Sequence, residues 1–197
     1  MTTIRDSPTS LRETAREAVR AEVQRHAWRL FSEHGFAATT VDQIAAAAGM
    51  SRRTFFRYFA SKDDLVLKRM LESTSELERV LAARPADEPA WPALRAAFDV
   101  LARRQSSHAA VSRRLQLMLY AEDPVRAIVE EWRRRWTQQL LPHVAQRLPE
   151  GASEIAALAV TISALGCLEV AQQEWAEHPG ADLAALLDEA MGAVAPL

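Results

Sequence analysis

The chain has 197 residues, 49% hydrophobic and 25% charged, with a single cysteine; this excludes a disordered, fibrous or disulfide-stapled protein and is enough to bury a sizeable core. The formal charge of −2 conceals a split, because residues 1–62 carry a net +4 and residues 63–197 a net −6. A basic first third suits a polyanionic partner that the acidic remainder would repel.

Residues 1–10 are polar, contain Pro8 and read as an arm. The first thirty residues hold six arginines and no apolar run, so no secretory leader is expected. A long helix is predicted from Leu11 to His34, with Val19, Val23, Ala27, Leu30 and Phe31 recurring at three and four, and Gly35 ends it. Thr40-Val41-Asp42-Gln43 is a capping box opening a helix that stops at Ala48-Gly49. Ser51 caps the next helix, Arg52 to Phe59. Ser61-Lys62-Asp63-Asp64 opens another, reaching about Ala83. Beyond the linker of Pro85 and Pro89, helices are expected over 90–106, 109–121, 124–148, 153–177 and 182–194. The 37 alanines against 18 valines plus isoleucines favour helix over strand. No segment alternates apolar and polar residues. The expected fold is therefore all-α, with about nine helices and no sheet.

Residues 41–59 have the pattern of a helix-turn-helix. Ala45 is small where the two helices must touch, and Gly49 supplies the positive φ of the turn. Ile44, Ala48, Met50, Phe55 and Phe59 recur at an inward spacing. Arg52, Arg53, Thr54, Phe56 and Arg57 are then presented outward, and two arginines near a helix N-terminus suit guanine edges in a major groove. Thr40, Ser51, Tyr58 and Lys62 surround that helix with groups suited to phosphate oxygens. Nearly all the cations are arginine, which favours forked phosphate contacts, although a GC-rich genome gives the same bias.

The run Gly35-Phe36-Ala37-Ala38-Thr39-Thr40-Val41-Asp42-Gln43-Ile44-Ala45, followed by Ala48-Gly49-Met50-Ser51-Arg52-Arg53-Thr54-Phe55-Phe56-Arg57-Tyr58-Phe59-Ala60-Ser61-Lys62, resembles the TetR family of bacterial regulators over about residues 16–66. The resemblance implies an all-helical homodimer, usually a repressor. Its N-terminal three-helix domain would bind a palindromic operator, and its variable C-terminal domain would bind a small ligand that releases the DNA. It implies a DNA-binding set of Thr40, Gln43, Ser51, Arg52, Arg53, Thr54, Phe56, Arg57, Tyr58 and Lys62. Two positions depart from the family pattern: Phe56 replaces a common Tyr and loses a phosphate donor, and Arg53 stands where Gly or Pro is frequent. The predicted division is residues 1–62 for the arm and DNA-binding domain and 63–197 for ligand binding and dimerisation.

In that second part, the helix 124–148 places Val125, Ile128, Val129, Trp132, Trp136 and Leu140 on one stripe. Plain core explains the stripe; a ligand cavity explains it too, with Phe98, Leu101, Leu115, Met118, Leu119, Trp132, Trp136, Leu140 and Trp175 as its candidate lining. The arginines at 103, 104, 113, 114, 133, 134 and 135 read as a solvated face or as a mouth for an anionic ligand. The C-terminal part resembles a subgroup of actinobacterial-type regulators, some responsive to fatty acyl-CoA. Helix 153–177 is apolar on two sides. Ile155, Leu158, Ile162 and Leu165 form a large row expected to face its own core. Ala159, Ser163, Gly166 and Val170 form a small row expected to meet a second chain, together with Leu183, Leu187 and Met191 of the last helix. Cys167 reads as a small buried hydrophobe.

No metal-ligand spacing, Gly-rich phosphate loop or nucleophile motif is present, so no enzyme, metal or cofactor is expected. The longest uncharged run, 155–168, is shorter than the ~20 residues of a membrane helix, and the expected location is cytoplasmic. The rival readings are a helical ligand-binding dimer without operator binding and a TetR-like activator.

Overall fold

A computed structural model describes residues 11–195, apart from the side chains at positions 69, 72, 73, 121 and 124. The arm at 1–10 lies outside the described residues. Nine α-helices and no strand occur among those residues: α1 Leu11–His34, α2 Val41–Ala47, α3 Arg52–Tyr58, α4 Lys62–Ala82, α5 Ala90–Ser107, α6 Ala109–Ala121, α7 Asp123–Ala145, α8 Glu154–Glu177 and α9 Leu183–Val194. They pack as two units that divide within α4, between Leu65 and Val66.

In the first unit, the local signals act as expected. Gly35 takes a φ of +82° and ends α1, its N–H donating to the Phe31 carbonyl at 2.9 Å. Gly49 takes a φ of +66°, and the Met50 N–H returns to the Ala45 carbonyl at 2.9 Å, closing the α2–α3 turn. Val23, Ala27, Phe31, Phe36, Ile44, Ala45, Phe55, Phe59 and Leu65 are all buried. Phe31 meets Phe36 at 5.2 Å and Phe55 meets Phe59 at 5.4 Å between ring centroids. Each such ring contributes roughly 1.5–3 kcal/mol of burial.

In the second unit, α8 packs against α5, α6, α7 and α9. The core joins Leu94, Phe98 and Leu101 of α5, Trp136 and Leu140 of α7, Leu165, Leu168 and Trp175 of α8, and Leu183, Leu187 and Met191 of α9. By length and composition α8 could cross a membrane, which its uncharged run alone does not suggest; its inner side carries the buried Thr161 and Gln172.

Two expectations about faces are overturned. Leu183, Leu187 and Met191 are fully buried within their own chain, so they form core, not an interface. The large row of α8 is the exposed one: Ile155 is 78% and Ile162 51% exposed, with Leu158 also at the surface. Only Leu165 of that row is buried. Ala159, Ser163 and Val170 lie at the surface beside them, with Gly166 half-buried. The outer face of α8 thus combines both expected rows. A residue in α9 must face inward at every third or fourth position to close the bundle, and its leucines do so.

Arginines hold helix C-termini together. The last carbonyls of a helix lack intrahelical donors and carry partial negative charge. Arg113 donates to the carbonyls of Trp175, of His178 at 2.6 Å and of Ala181 at 3.2 Å, with its guanidinium 4.1 Å from the Trp175 ring centroid. Arg147 donates to the Leu81 and Arg84 carbonyls at 2.9 and 3.0 Å. Helix α7 ends at Ala145 rather than at the expected 148, because the Arg147 and Leu148 N–H groups bond three residues back, in turns that lead into Pro149.

Candidate nucleic-acid interface

Helix α3 is anchored by Phe55 and Phe59, one turn apart and buried. At 100° per residue, Arg53 and Arg57 lie within about 40° of the opposite direction, and both are exposed. Neither has an ion-pair partner among the described residues. Phe56 is 44% exposed and packs edge-on against Phe55, leaving a free phenyl face for an apolar base contact such as a thymine methyl.

Arg52 is placed differently from Arg53. Its Nη1 donates to Asp42 Oδ2 at 2.9 Å, and its guanidinium lies 5.4 Å from the Phe56 ring centroid. Both partners of that ion pair are more than half exposed, so it is worth about 0–1 kcal/mol and opens readily.

The polar groups around α3 are first of all caps. Thr40 Oγ1 accepts the Gln43 N–H at 3.2 Å, and Gln43 Oε1 accepts the Thr40 N–H at 2.8 Å, completing the predicted box. Ser51 Oγ accepts the Thr54 N–H at 3.1 Å and shares a hydrogen bond with Thr54 Oγ1 at 2.9 Å. Thr40 Oγ1 also lies 3.1 Å from Gln43 Oε1 as donor, so a phosphate contact requires that proton to turn outward. Tyr58 is half-buried beneath the Arg57 guanidinium, 5.3 Å from its ring centroid.

Lys62, expected as a phosphate contact, turns inward. Its Nζ donates to the Phe36 carbonyl at 2.6 Å and the Thr39 carbonyl at 2.9 Å, and sits 4.0 Å from the Phe36 ring centroid. The ammonium therefore ties the start of α4 to the loop after α1.

The candidate ligand-lining residues fall into two groups. Phe98, Leu101, Trp136, Leu140 and Trp175 share one core, with Trp132 packed against it. Met118 is buried elsewhere on α6, and Leu115 and Leu119 are half-buried. The Trp132 and Trp136 rings lie 4.5 Å apart, and Trp132 Nε1 donates to Thr74 Oγ1 at 2.9 Å. Sequence reasoning missed a polar chain beside them. Gln116 Nε2 donates to Gln172 Oε1 at 3.1 Å, and Gln172 Nε2 to Gln105 Oε1 at 3.2 Å. Tyr120 accepts from Gln116 and donates to the Glu169 carbonyl at 3.1 Å. Burial pushes the Tyr120 phenol up to about 12. The available signal was the pair Gln116 and Tyr120, four apart among the apolar residues of the second half of α6.

Five of the seven arginines expected to form a solvated face or a mouth are engaged by protein groups of this unit. Arg113 caps α8, Arg133 pairs with Glu169, Arg104 with Glu76, and Arg134 and Arg135 both with Glu131. Burial pushes the Cys167 thiol up, and its Sγ lies 3.4 Å from the Ala190 carbonyl as a weak donor, an inert setting. No group of three or more potential metal ligands occurs among the described residues.

Residues 25–68 match the family described as bacterial regulatory proteins, tetR family, and residues 88–197 match the MftR C-terminal domain. The transcriptional regulator TcmR of Streptomyces glaucescens is 36% identical over 94 residues, 48% of this chain; the chain covers less than half of TcmR, 42% of its length. The transcriptional regulator MftR of Mycobacterium tuberculosis is 28% identical over 83% of this chain and 81% of its own. Among solved structures, Thermus thermophilus FadR, a TetR-family repressor in complex with lauroyl-CoA, superposes with a TM-score of 0.56 at 28% identity, covering 88% of this chain and 91% of FadR. The outward arginines of α3, the capped turn before them and these matches lead to one assignment: the chain belongs to the TetR family of bacterial transcriptional regulators, with an MftR-type C-terminal domain.

Proposed function

We propose that this regulator is a dimeric, ligand-responsive repressor that reads a palindromic operator through α3, in the cytoplasm and without a membrane partner. Residues 1–62 form the DNA-binding part and 63–197 the ligand-binding and dimerisation part. The observation that carries the reading is the pair Arg53 and Arg57, exposed on the side of α3 opposite Phe55 and Phe59. Arg53 is the base-reading residue, with Arg52 joining it once it leaves Asp42. Thr54 and Phe56 touch neighbouring base edges, and Thr40, Gln43, Ser51 and Tyr58 meet phosphates.

Two copies associate through the exposed apolar face of α8, where Ile155, Leu158, Ile162 and Val170 would otherwise face water. The ligand is a small apolar or acyl-CoA-like molecule whose apolar part sits among the aromatic residues of α5, α6 and α7. The lauroyl-CoA complex of Thermus thermophilus FadR supports that class. Ligand and operator oppose each other through α4, whose first residue is fixed to the reading head by the Phe36 and Thr39 carbonyls.

The test is titration of duplexes that the full chain selects from a random library, with and without lauroyl-CoA. The expected result is a salt-sensitive, sequence-selective complex that lauroyl-CoA weakens about 5–150-fold. Absence of any selective complex overturns the DNA reading. A selective complex indifferent to lauroyl-CoA overturns the ligand class alone.

A further inference from the structure

The first two turns of α1 are unusual for a helix in a folded domain. Every residue from Leu11 to Ala18 is exposed, and Leu11 is 90% so. Isolated helical turns are marginal in water, and helices in proteins are stabilised chiefly by a packed face. No residue of this segment is buried among the described residues, and it carries Arg12 and Arg16 one turn apart.

Those two arginines do not stand alone. With Ala15, Val19, Arg57 and Tyr58 they line an open groove of about 440 Å³ between α1 and α3. Three guanidinium groups border it, and Val19 and Tyr58 give it an apolar floor. Arg12, Arg16 and Arg57 have no ion-pair partner among the described residues, in contrast to Arg25 and Arg29 further along α1, which pair with Glu22 and Glu33. The acidic neighbours Glu13 and Glu17 do not line the groove. The groove is a concentrated positive site that no ion pair among the described residues neutralises.

Its position names the occupant. Arg57 lies one turn beyond Arg53 on the same outward side of α3, so the groove continues the reading face and does not form a separate patch. A helix seated in a major groove is flanked by two sugar-phosphate backbones. With α3 so seated, the capped N-termini of α2 and α3 would face one of them, and the Arg12–Arg16–Arg57 groove, at the C-terminal end of α3, the other. We infer that this groove is a second backbone clamp, which takes phosphates outside the bases read by α3 and so extends the operator footprint beyond the half-site. The inference rests on the operator-binding reading proposed above. The clamp carries position and not sequence, because guanidinium groups on phosphate oxygens read charge and shape. Docking of DNA also covers the first two turns of α1, which are exposed among the described residues.

The experiment uses the full chain and its library-selected duplex in two lengths, one ending at the outermost selected base pair and one extended by half a helical turn on each side. The variants are Arg12→Ala/Arg16→Ala, Arg12→Lys/Arg16→Lys and, as control, Arg53→Ala. The alanine pair removes two phosphate-binding cations from each protomer, and with them the slope of log K against log salt should become shallower by about 3.6 per dimer on the long duplex. That removes about a 100-fold share of the affinity loss between 50 and 200 mM salt. The alanine pair should bind the short duplex as wild type does and keep the same base preference, and the lysine pair should restore the slope. Backbone amides 12–19 should gain protection from hydrogen exchange only with the long duplex. If the alanine pair keeps the wild-type slope on the long duplex while Arg53→Ala loses selectivity, the clamp is overturned and the reading helix stands. If wild type selects no duplex, the operator reading itself fails.

Discussion

Arg53 and Lys62 show how far a residue's type predicts its work. Both are cations beside the same helix. Arg53 was legible as an outward group because Phe55 within α3 and Phe59 just after it are buried on one side, which leaves the opposite side to the arginines. Arg53→Ala should weaken operator binding by about 1–3 kcal/mol and relax preference at one base position; unchanged affinity and preference in a selection experiment would remove it from base readout. Lys62 was not legible, because its partners, the Phe36 and Thr39 carbonyls, lie 26 and 23 residues earlier. Its two charge-assisted bonds predict a stability role. Lys62→Met keeps the aliphatic stem over Phe36 and should cost about 1–3 kcal/mol in denaturant unfolding, with the salt slope of DNA binding unaltered below the transition. Wild-type stability with a slope reduced by about one per protomer would return Lys62 to the phosphate set.

At the scale of elements, local chemistry was readable and choice of face was not. Gly35, Thr40, Gly49 and Ser51 act on the backbone within four residues, so boundaries followed from sequence. Helix α8 carries apolar residues all round, and no intrinsic preference says which side its own bundle covers. The outcome departs from hydropathy at four positions, with Thr161 and Gln172 inside beside Leu165, Leu168 and Trp175, and Ile155 and Ile162 outside. Thr161 manages burial by donating to the Ala157 carbonyl at 2.8 Å, and Gln172 by joining the glutamine chain. The end of that chain titrates. Tyr120 is pushed up to about 12 by burial, so in the unfolded chain its phenol ionises first, near 10. The folded state then binds more protons than the unfolded one, and stability falls as pH rises from about 10 to 12. The loss should approach about 2 kcal/mol. Tyr120→Phe should flatten that part of the unfolding-versus-pH curve, and a curve identical to wild type would show that the phenol ionises equally well when folded.

For the whole molecule, the charge split and the two apolar surfaces of the second unit belong together. The net positive charge belongs to the part that carries α3, residues 1–62, and the net negative charge to residues 63–197. The acidic part keeps its own core closed with α9 and leaves the outer face of α8 uncovered. Substitutions on the two surfaces should therefore separate folding from association. Leu187 is fully buried, so Leu187→Ala should cost roughly 2–5 kcal/mol through the missing side-chain packing and the cavity left behind. Ile162 is 51% exposed, so Ile162→Asp should leave the circular dichroism and unfolding midpoint of the isolated chain nearly unchanged. Placed against its symmetry mate, the new carboxylate would face an apolar surface and a like charge across the two-fold axis. Sedimentation of Ile162→Asp should then show monomers at concentrations where wild type is dimeric, and operator affinity should drop because the two reading heads are no longer linked. If Ile162→Asp instead sediments as a dimer of wild-type strength, the contact lies on some other surface. In that case Ile155 and Val170, on the same exposed face, would need a different partner.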